Sequence, residues 1–549
     1  MKIFYKMTLA LAAAMTIATS AFAGGPMTNS NQSAHFLRSV ARGTSLDTDA
    51  VYTNPAGVVF MEDGFHLGIN DQMASQTRTI TSSYAAFAMG AENRGNATKE
   101  YKGEVFSPLI PSIHFAWKHN RWAIMAGLGV NGGGGSLKFD DGLGSFERQF
   151  SALPGAISKL GSAMGLSASQ YDMDMELTGN SKTLALNFGA AFRITDWLSV
   201  AAQIRMSGTY NSYKGGIDDI KINPTMAAMG LNGQMMGAAQ FFTAAGQMLG
   251  QMNPALAAQA AQYAALTSDH ILDVEQNGYS ISPILAVALH KGKWDASIKY
   301  EFKMATELEI KSSPASAADP VINGIFADGT KVKAETPALL AAAVSRHFGP
   351  VKVTAQWHHY FDKNAQNSFS SCIEGNTNEY MMGAEWTISD RWLVSAGAQR
   401  TQLNMNENAY SDMNFSISSW SVAAGFAFKA CDAVRINAGI MPTFYDEATA
   451  VGKVADTGLD FCNFSIVGLR SSPRRPRGIF CTISQRTQFV STDTAQSLLS
   501  TSSPLGDPTP SPEELRLVAP HSKHASSSID KAKVRHLFSA FRLTANNCK

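Results

Sequence analysis

The chain has 549 residues, 45 Lys+Arg against 44 Asp+Glu, and a charged fraction of 16%. The near balance of charge excludes a nucleic-acid partner, which calls for a basic surface. The charged fraction lies below the roughly 25% of soluble domains, a dilution expected where one face of each strand touches lipid. Five cysteines, with no paired metal-ligand spacing, give no disulfide framework and no metal site.

At the start, Lys2 and Lys6 form a positive n-region, residues 7–19 are apolar and Ala-rich, and Ala21-Phe22-Ala23 supplies a small-x-small cleavage pattern. Residues 1–23 therefore read as a secretory signal peptide. The alternative, a membrane anchor, fails on length, since about 13 apolar residues fall short of the roughly 20 a spanning helix needs. No later uncharged stretch is long enough, so any spanning falls to strands. Residues 24–62 do not alternate and contain Asn31-Gln32-Ser33-Ala34 and the run Asp49-Ala50-Val51-Tyr52-Thr53-Asn54-Pro55-Ala56-Gly57.

From about residue 65 to 445 the sequence alternates in segments of roughly 8 to 14 residues, the period of a strand with two different faces. Val351, Val353, Ala355 and Trp357 share one face while Lys352, Thr354, Gln356 and His358 share the other. A polar turn followed by Trp recurs at Trp122, Trp197, Trp294 and Trp392. Indole rings at a fixed place beside each turn are the sign of an aromatic belt at the membrane interface. Turns of about two or three residues alternate with connections of about ten to more than sixty, the asymmetry of outer-membrane barrels whose short side is periplasmic. The expectation is an all-β protein: a transmembrane antiparallel β-barrel over residues 63–461 in the bacterial outer membrane. About 13 strands are recognisable, and closure with an even number leaves one to be found.

Two long loops carry apolar residues at near-helical spacing. In 140–172 these are Phe146, Phe150, Leu153, Ile157, Leu160 and Met164; in 225–268 they include Met226, Met229, Met236, Phe241, Met248 and Met252. Such helices either cap the rim of the barrel or give an apolar ligand an adaptable landing surface. On the second reading Phe146, Phe150, Leu153, Met229, Met236 and Phe241 are the ligand-binding candidates.

Residues 462–549 differ in composition: they hold no Met, Trp or Tyr and are rich in Ser, Pro and Arg. Such a tail is expected to be disordered. We read it as the product of a frameshift or fusion that replaced the last strand, an idea that fails if no neighbouring frame of the gene encodes an alternating strand with an aromatic end.

The run 49–57, placed after a signal peptide and a Ser-Ala stretch and just before a barrel, resembles the amino-terminal hatch of the FadL/TodX family of outer-membrane transporters for hydrophobic compounds. The resemblance extends from the strand pair at 108–130 to about residue 460. It implies a monomeric 14-stranded barrel plugged by a hatch over 24–62, with Asn54, Pro55 and Ala56 in the hatch motif. Pro55 fixes φ and suits a rigid corner whose shift opens a channel, a plain turn being the alternative. The resemblance further implies capture of long-chain fatty acids or other hydrophobic molecules at extracellular loops, gating by the hatch, and release through the wall into outer-membrane lipid, beneath the lipopolysaccharide layer, without a cofactor. The chain departs from the family where the third strand ends in Val130-Asn131-Gly132-Gly133-Gly134-Gly135 in place of a Pro before a Gly. The Gly run serves the same bend, since Gly accommodates bulges and breaks. The terminal aromatic residue is also lacking.

Enzyme signals are thin. Gly127-x-Gly129-x-x-Gly132 matches a dinucleotide fingerprint by letters but leads into more Gly and a charged loop. His358 and His359 point to opposite faces of one strand and cannot share a metal. No G-x-S-x-G or H-E-x-x-H occurs. A non-enzymatic transporter is expected, with a general porin or structural surface protein as the alternative.

Overall fold

The computed structural model describes residues 33–466 except 162–164, 251–253, 407–408, 411, 413–415, 447 and 454–459. The signal peptide and the tail beyond 466, with the frameshift or fusion reading, lie outside the described residues.

The strands form one large sheet. The first passage is β1 (Gly64–Asn70) and β2 (Ala74–Tyr84), and the second is β3 (Thr98–Ser107) and β4 (Ser112–His119), with β1 paired to β4 and β2 to β3. Four long antiparallel passages follow: β5 (Trp122–Phe139), β6 (Tyr171–Arg193), β7 (Leu198–Ile222) and β8 (His270–Lys291). The seventh is β9 (Trp294–Glu301) with β10 (Glu307–Ser312), and the eighth is β11 (Lys331–Lys333) with β12 (Leu339–Phe348). The next four are β13 (Val351–Tyr360), β14 (Thr377–Thr387), β15 (Trp392–Gln402) and β16 (Ser419–Cys431). The thirteenth runs through β17 (Val434–Ile440), β18 (Thr443–Tyr445) and β19 (Ala448–Lys453), and the fourteenth is β20 (Asp460–Ile466).

β20 pairs with β19 on one side and β2 on the other, with Thr81 opposite Ser465 and Tyr84 opposite Phe461, so the ring closes at the long-loop end. This is the strand that alternation does not reveal, and it carries the sheet past the boundary drawn at 461. Register shifts in both of its ladders break the period. At the short-turn end β1 pairs with β4 and β17 with β16, and no register pair joins β1 to β17 among the described residues.

The two faces follow the period-two pattern. On β13, Thr354, Gln356 and His358 are buried in the lumen. On β5, Trp122, Ile124 and Leu128 are exposed on the outer face. Trp122, Trp197, Trp294 and Trp392 all stand exposed at the short-turn end, and Tyr210, Tyr279, Tyr380 and Trp420 are exposed further along the strands. Trp420 lies opposite Arg400, eight residues from Trp392. At ~3.3 Å per residue that is roughly 26 Å along the strand, or about 20 Å across a membrane after tilting, close to the apolar band of such barrels. The protein is a transmembrane antiparallel β-barrel. No described helix is long and apolar enough to cross a membrane.

Four short connections, β4 to β5, β8 to β9, β12 to β13 and β16 to β17, turn in two residues. Those at 194–197 and 388–391 are wider than the sequence suggests, because Thr195 and Ser389 hydroxyls accept backbone N–H groups two and three residues on. At the other end β6, β7 and β8 run 23, 25 and 22 residues, far more than the ~10 a bilayer needs. Their projecting ends support the helices of the long loops.

Ile204 stands exposed on β7 between Trp197 and Tyr210. Ile204→Arg should lower folding stability by about 2–4 kcal/mol in lipid vesicles, measured by denaturant titration, since a charge there faces hydrocarbon. An unchanged titration would mean this face does not contact lipid.

Candidate functional site

Residues 33–61 run through the lumen. They form α1 (Ala34–Arg38), α2 (Ala50–Thr53) and a 3₁₀ turn, Pro55–Phe60. The Ser33 hydroxyl caps α1 by accepting from Phe36 N, and Pro55 opens the 3₁₀ turn, where its missing N–H costs nothing. Asn54 donates from Nδ2 to the Ser45 carbonyl at 3.0 Å, tying the corner back on itself. Inward side chains from around the barrel satisfy the segment's backbone, as buried peptide groups require. Gln203 donates to Val51 O at 2.9 Å, Ser199 to Ala56 O at 2.6 Å, Ser297 to Gly43 O at 2.6 Å and Lys352 to Thr44 O at 3.0 Å. Below them Val51, Ala56, Val58, Val59 and Met61 pack on a layer of wall alanines that includes Ala116, Ala191, Ala201 and Ala288.

Charge fixes the other half of the segment. Glu385 on β14 accepts from Arg38 Nη1 at 2.5 Å and from Arg42 Nη1 at 2.8 Å. Arg42 also holds Asp49 through Nε at 2.7 Å and Nη2 at 3.1 Å. Asp47 accepts from Arg435 on β17 at 2.6 Å. A row of glycines makes room for this approach: a methyl group at Gly425 or Gly439 would strike Arg38, and one at Gly397 would crowd Val40.

Burial pushes the Asp49 carboxyl up, but the charges of Arg42 and His35 pull harder and lower it from 3.8 to about 2. A folded value below the unfolded one stabilises the fold above about pH 4. That contribution, on the order of 2 kcal/mol, is lost as pH falls through 4 toward 2.

Above the segment lies a cavity with an empty volume of about 610 Å³, open space included. Phe36, Phe302, Met304 and Leu339 give it an apolar side, and Arg42, Arg205, Lys299, Glu301 and His358 a polar one. The cations are already paired: Glu301 accepts from both Arg205 and Lys299. His358 Nδ1 lies 2.8 Å from Glu379. His359, on the opposite face, turns to Asn378 instead, so the two histidines do not converge.

The long-loop end is closed by a second layer. α3 (Gly144–Ser151), α4 (Leu153–Gly161), α5 (Ala238–Gly250) and α6 (Pro254–Leu266) cover the projecting strands. Phe146, Phe150, Leu153 and Phe241 are buried in one apolar cluster with Tyr213, Ile217, Ile220 and Phe326, and Met236 packs against it half-buried. Met229 does not join them; it is 40% exposed on a 3₁₀ turn that Gly230 ends with φ 70°. Residues 225–237 are thus not helical as the spacing suggests but form short ladders, one of them onto β7. One carboxylate anchors α3: Glu147 accepts from Tyr101 at 2.6 Å, Tyr171 at 2.7 Å, Lys99 at 2.9 Å and Asn93 at 3.0 Å.

Among the described residues the wall ladder is interrupted between the second and third passages, as it is between β1 and β17. β4 pairs with β5 from Ile113 opposite Leu128 down to His119 opposite Trp122, and β3 pairs with β5 only from Gly103 opposite Phe139 to Val105 opposite Leu137. Over the intervening residues no register pair joins the second passage to the third among the described residues. Pro108 and Pro111 lack the donors a ladder needs there. On its other edge β5 stays paired to β6, with register shifts between Val130 and Gly132 and between Gly132 and Gly135. Gly133 has φ 87°, and a methyl group there would fall on the Ser181 carbonyl, so the bend requires Gly.

Sequence reasoning found the run 49–57 and the loop aromatics but not Arg38, Arg42, Glu385 or the glycine row. An inward Glu on a barrel strand is ordinary in sequence, and its partners lie 347 and 343 residues away. Two predictions follow from this network. Wild-type protein should resist trypsin at Arg38 and Arg42, whereas Glu385→Gln should be cut there, because losing a buried partner costs about 3–5 kcal/mol; equal resistance would show that the network does not hold the segment. The thermal midpoint of the wild type should fall between pH 4 and 2 more steeply than that of Asp49→Asn, and parallel curves would remove Asp49 from the account.

No protein-family model matches the sequence, and no curated protein matches it. Solved structures similar to this one include a Pseudomonas aeruginosa FadL homologue, with a TM-score of 0.49 and 12% identity over 84% of this chain and 97% of that one. The Pseudomonas putida toluene transporter TodX is similar with a TM-score of 0.46 and 12% identity over 83% and 98%. The Ralstonia pickettii toluene transporter TbuX is similar with a TM-score of 0.43 and 15% identity over 80% and 93%.

Proposed function

We propose that this chain is a passive transporter of hydrophobic compounds across the bacterial outer membrane, with long-chain fatty acids as the substrate class to test first. The observation that carries this reading is the arrangement along the barrel: a buried apolar cluster under the outer helices, a plugged lumen, and a seam where the wall ladder stops. The cluster captures the solute through Phe146, Phe150, Leu153, Met236 and Phe241. Residues 223–268 contain no charged side chain, so the surface beside the cluster favours apolar material over ions. The lumenal segment acts as the hatch, with Asn54, Pro55 and Ala56 at its corner, and the seam between the second and third passages is the exit into the bilayer.

No energy source is needed, since an apolar solute gains roughly 0.8 kcal/mol per CH₂ removed from water. Met229 serves at most as an outer contact, given its exposure. The occupied lumen supports transport over the porin reading, because a porin keeps an aqueous channel.

Deleting residues 225–268, or replacing Phe150 with Asp, should reduce uptake of labelled oleate by cells several-fold at unchanged protein level. Unchanged uptake would remove the loop cluster from the pathway. Protein purified in mild detergent should also release a stoichiometric apolar ligand on denaturation, identified by mass spectrometry.

A further inference from the structure

We propose that Tyr52 and Asn131 form the latch between the lumenal segment and the interrupted seam, making Tyr52 the positioning residue of the exit gate. The inference rests on the transporter reading above and adds to it the contact that joins hatch to wall.

Tyr52 lies in α2, two residues before Asn54. Its hydroxyl donates to Asn131 Oδ1 at 3.1 Å. Asn131 is buried and sits in β5 between Val130 and Gly132, where the register shifts. The Tyr52 ring is clamped by two cations, with the Arg205 guanidinium 4.9 Å from its centroid and the Lys299 ammonium 5.1 Å away. Lys299 also donates to the Tyr52 carbonyl at 2.9 Å. The clamp fixes the ring, so the hydroxyl has a defined reach, and a shift of α2 withdraws it from the wall.

Position makes this contact a gate as well as a tie. Tyr52 and Asn131 both line the lumenal cavity. Asn131 also belongs to the stretch of β5 that leaves the second passage. Cavity and seam therefore meet at Asn131, with Tyr52 across the meeting point. Gln203, Ser199, Ser297 and Lys352, which hold the segment's carbonyls, lie on strands paired along both edges, where a break would open nothing sideways.

Tyr52→Phe keeps the ring and its clamp but removes the donor, and Asn131→Leu keeps the volume but removes the acceptor. Each variant should raise the initial rate of labelled oleate uptake by cells about five-fold over wild type at unchanged protein level, the effect of one lost hydrogen bond on a closed state. The double variant should rise no further than either single one, and all three should unfold thermally near the wild-type midpoint. A wild-type uptake rate in Tyr52→Phe, additive effects in the double variant, or a matching fall in thermal midpoint would each overturn the latch. Labelled oleate uptake by the wild type keeps the two ideas apart: its absence refutes the transporter reading, whereas its presence with an unaltered Tyr52→Phe variant refutes only the latch.

Discussion

The structure depends on how charge is kept inside the barrel. Glu385 stands between Arg38 and Arg42, and Arg42 is shared with Asp49, all of them largely removed from water. Taking such ions out of water is costly, and the attraction between them roughly offsets that cost, so the network adds little net stability. Its effect is to select one arrangement, in which Arg38, Arg42, Asp47 and Asp49 each meet an opposite charge. The glycine row on the wall and the alanine layer beneath the segment are the steric counterparts of that choice.

A lumen filled in this way leaves an apolar solute no straight aqueous path. The inward faces carry many polar side chains, and the large apolar ones gather on the outer face, which meets lipid, and in the cluster under α3 to α6. Between cluster and lipid lie a cavity of mixed character and the seam where Pro108 and Pro111 interrupt the ladder between the second and third passages.

Much of this was legible in the sequence, and the reason is periodicity. Strands with lipid on one face and polar side chains on the other declare themselves residue by residue, as Thr354, Gln356 and His358 do on β13. The turn-associated Trp residues mark where the membrane ends. Loop apolar residues at helical spacing, Phe146, Phe150 and Leu153, did converge, because α3 and α4 both turn apolar side chains to the rim. Met229 did not, since its neighbour Gly230 leaves the helical region. The fourteenth strand escaped notice because bulges break its alternation, and the ion network because its partners are joined only by the closed barrel. Pairings of that kind have no local signature.

The central claim is that the lumenal segment seals the barrel and that solute leaves through the wall. The most direct measurement is single-channel conductance of the purified protein in planar bilayers, compared with a variant lacking residues 33–61. The account predicts a nearly silent intact barrel and a large, steady conductance once the segment is removed. A porin-sized conductance in the intact protein would contradict it.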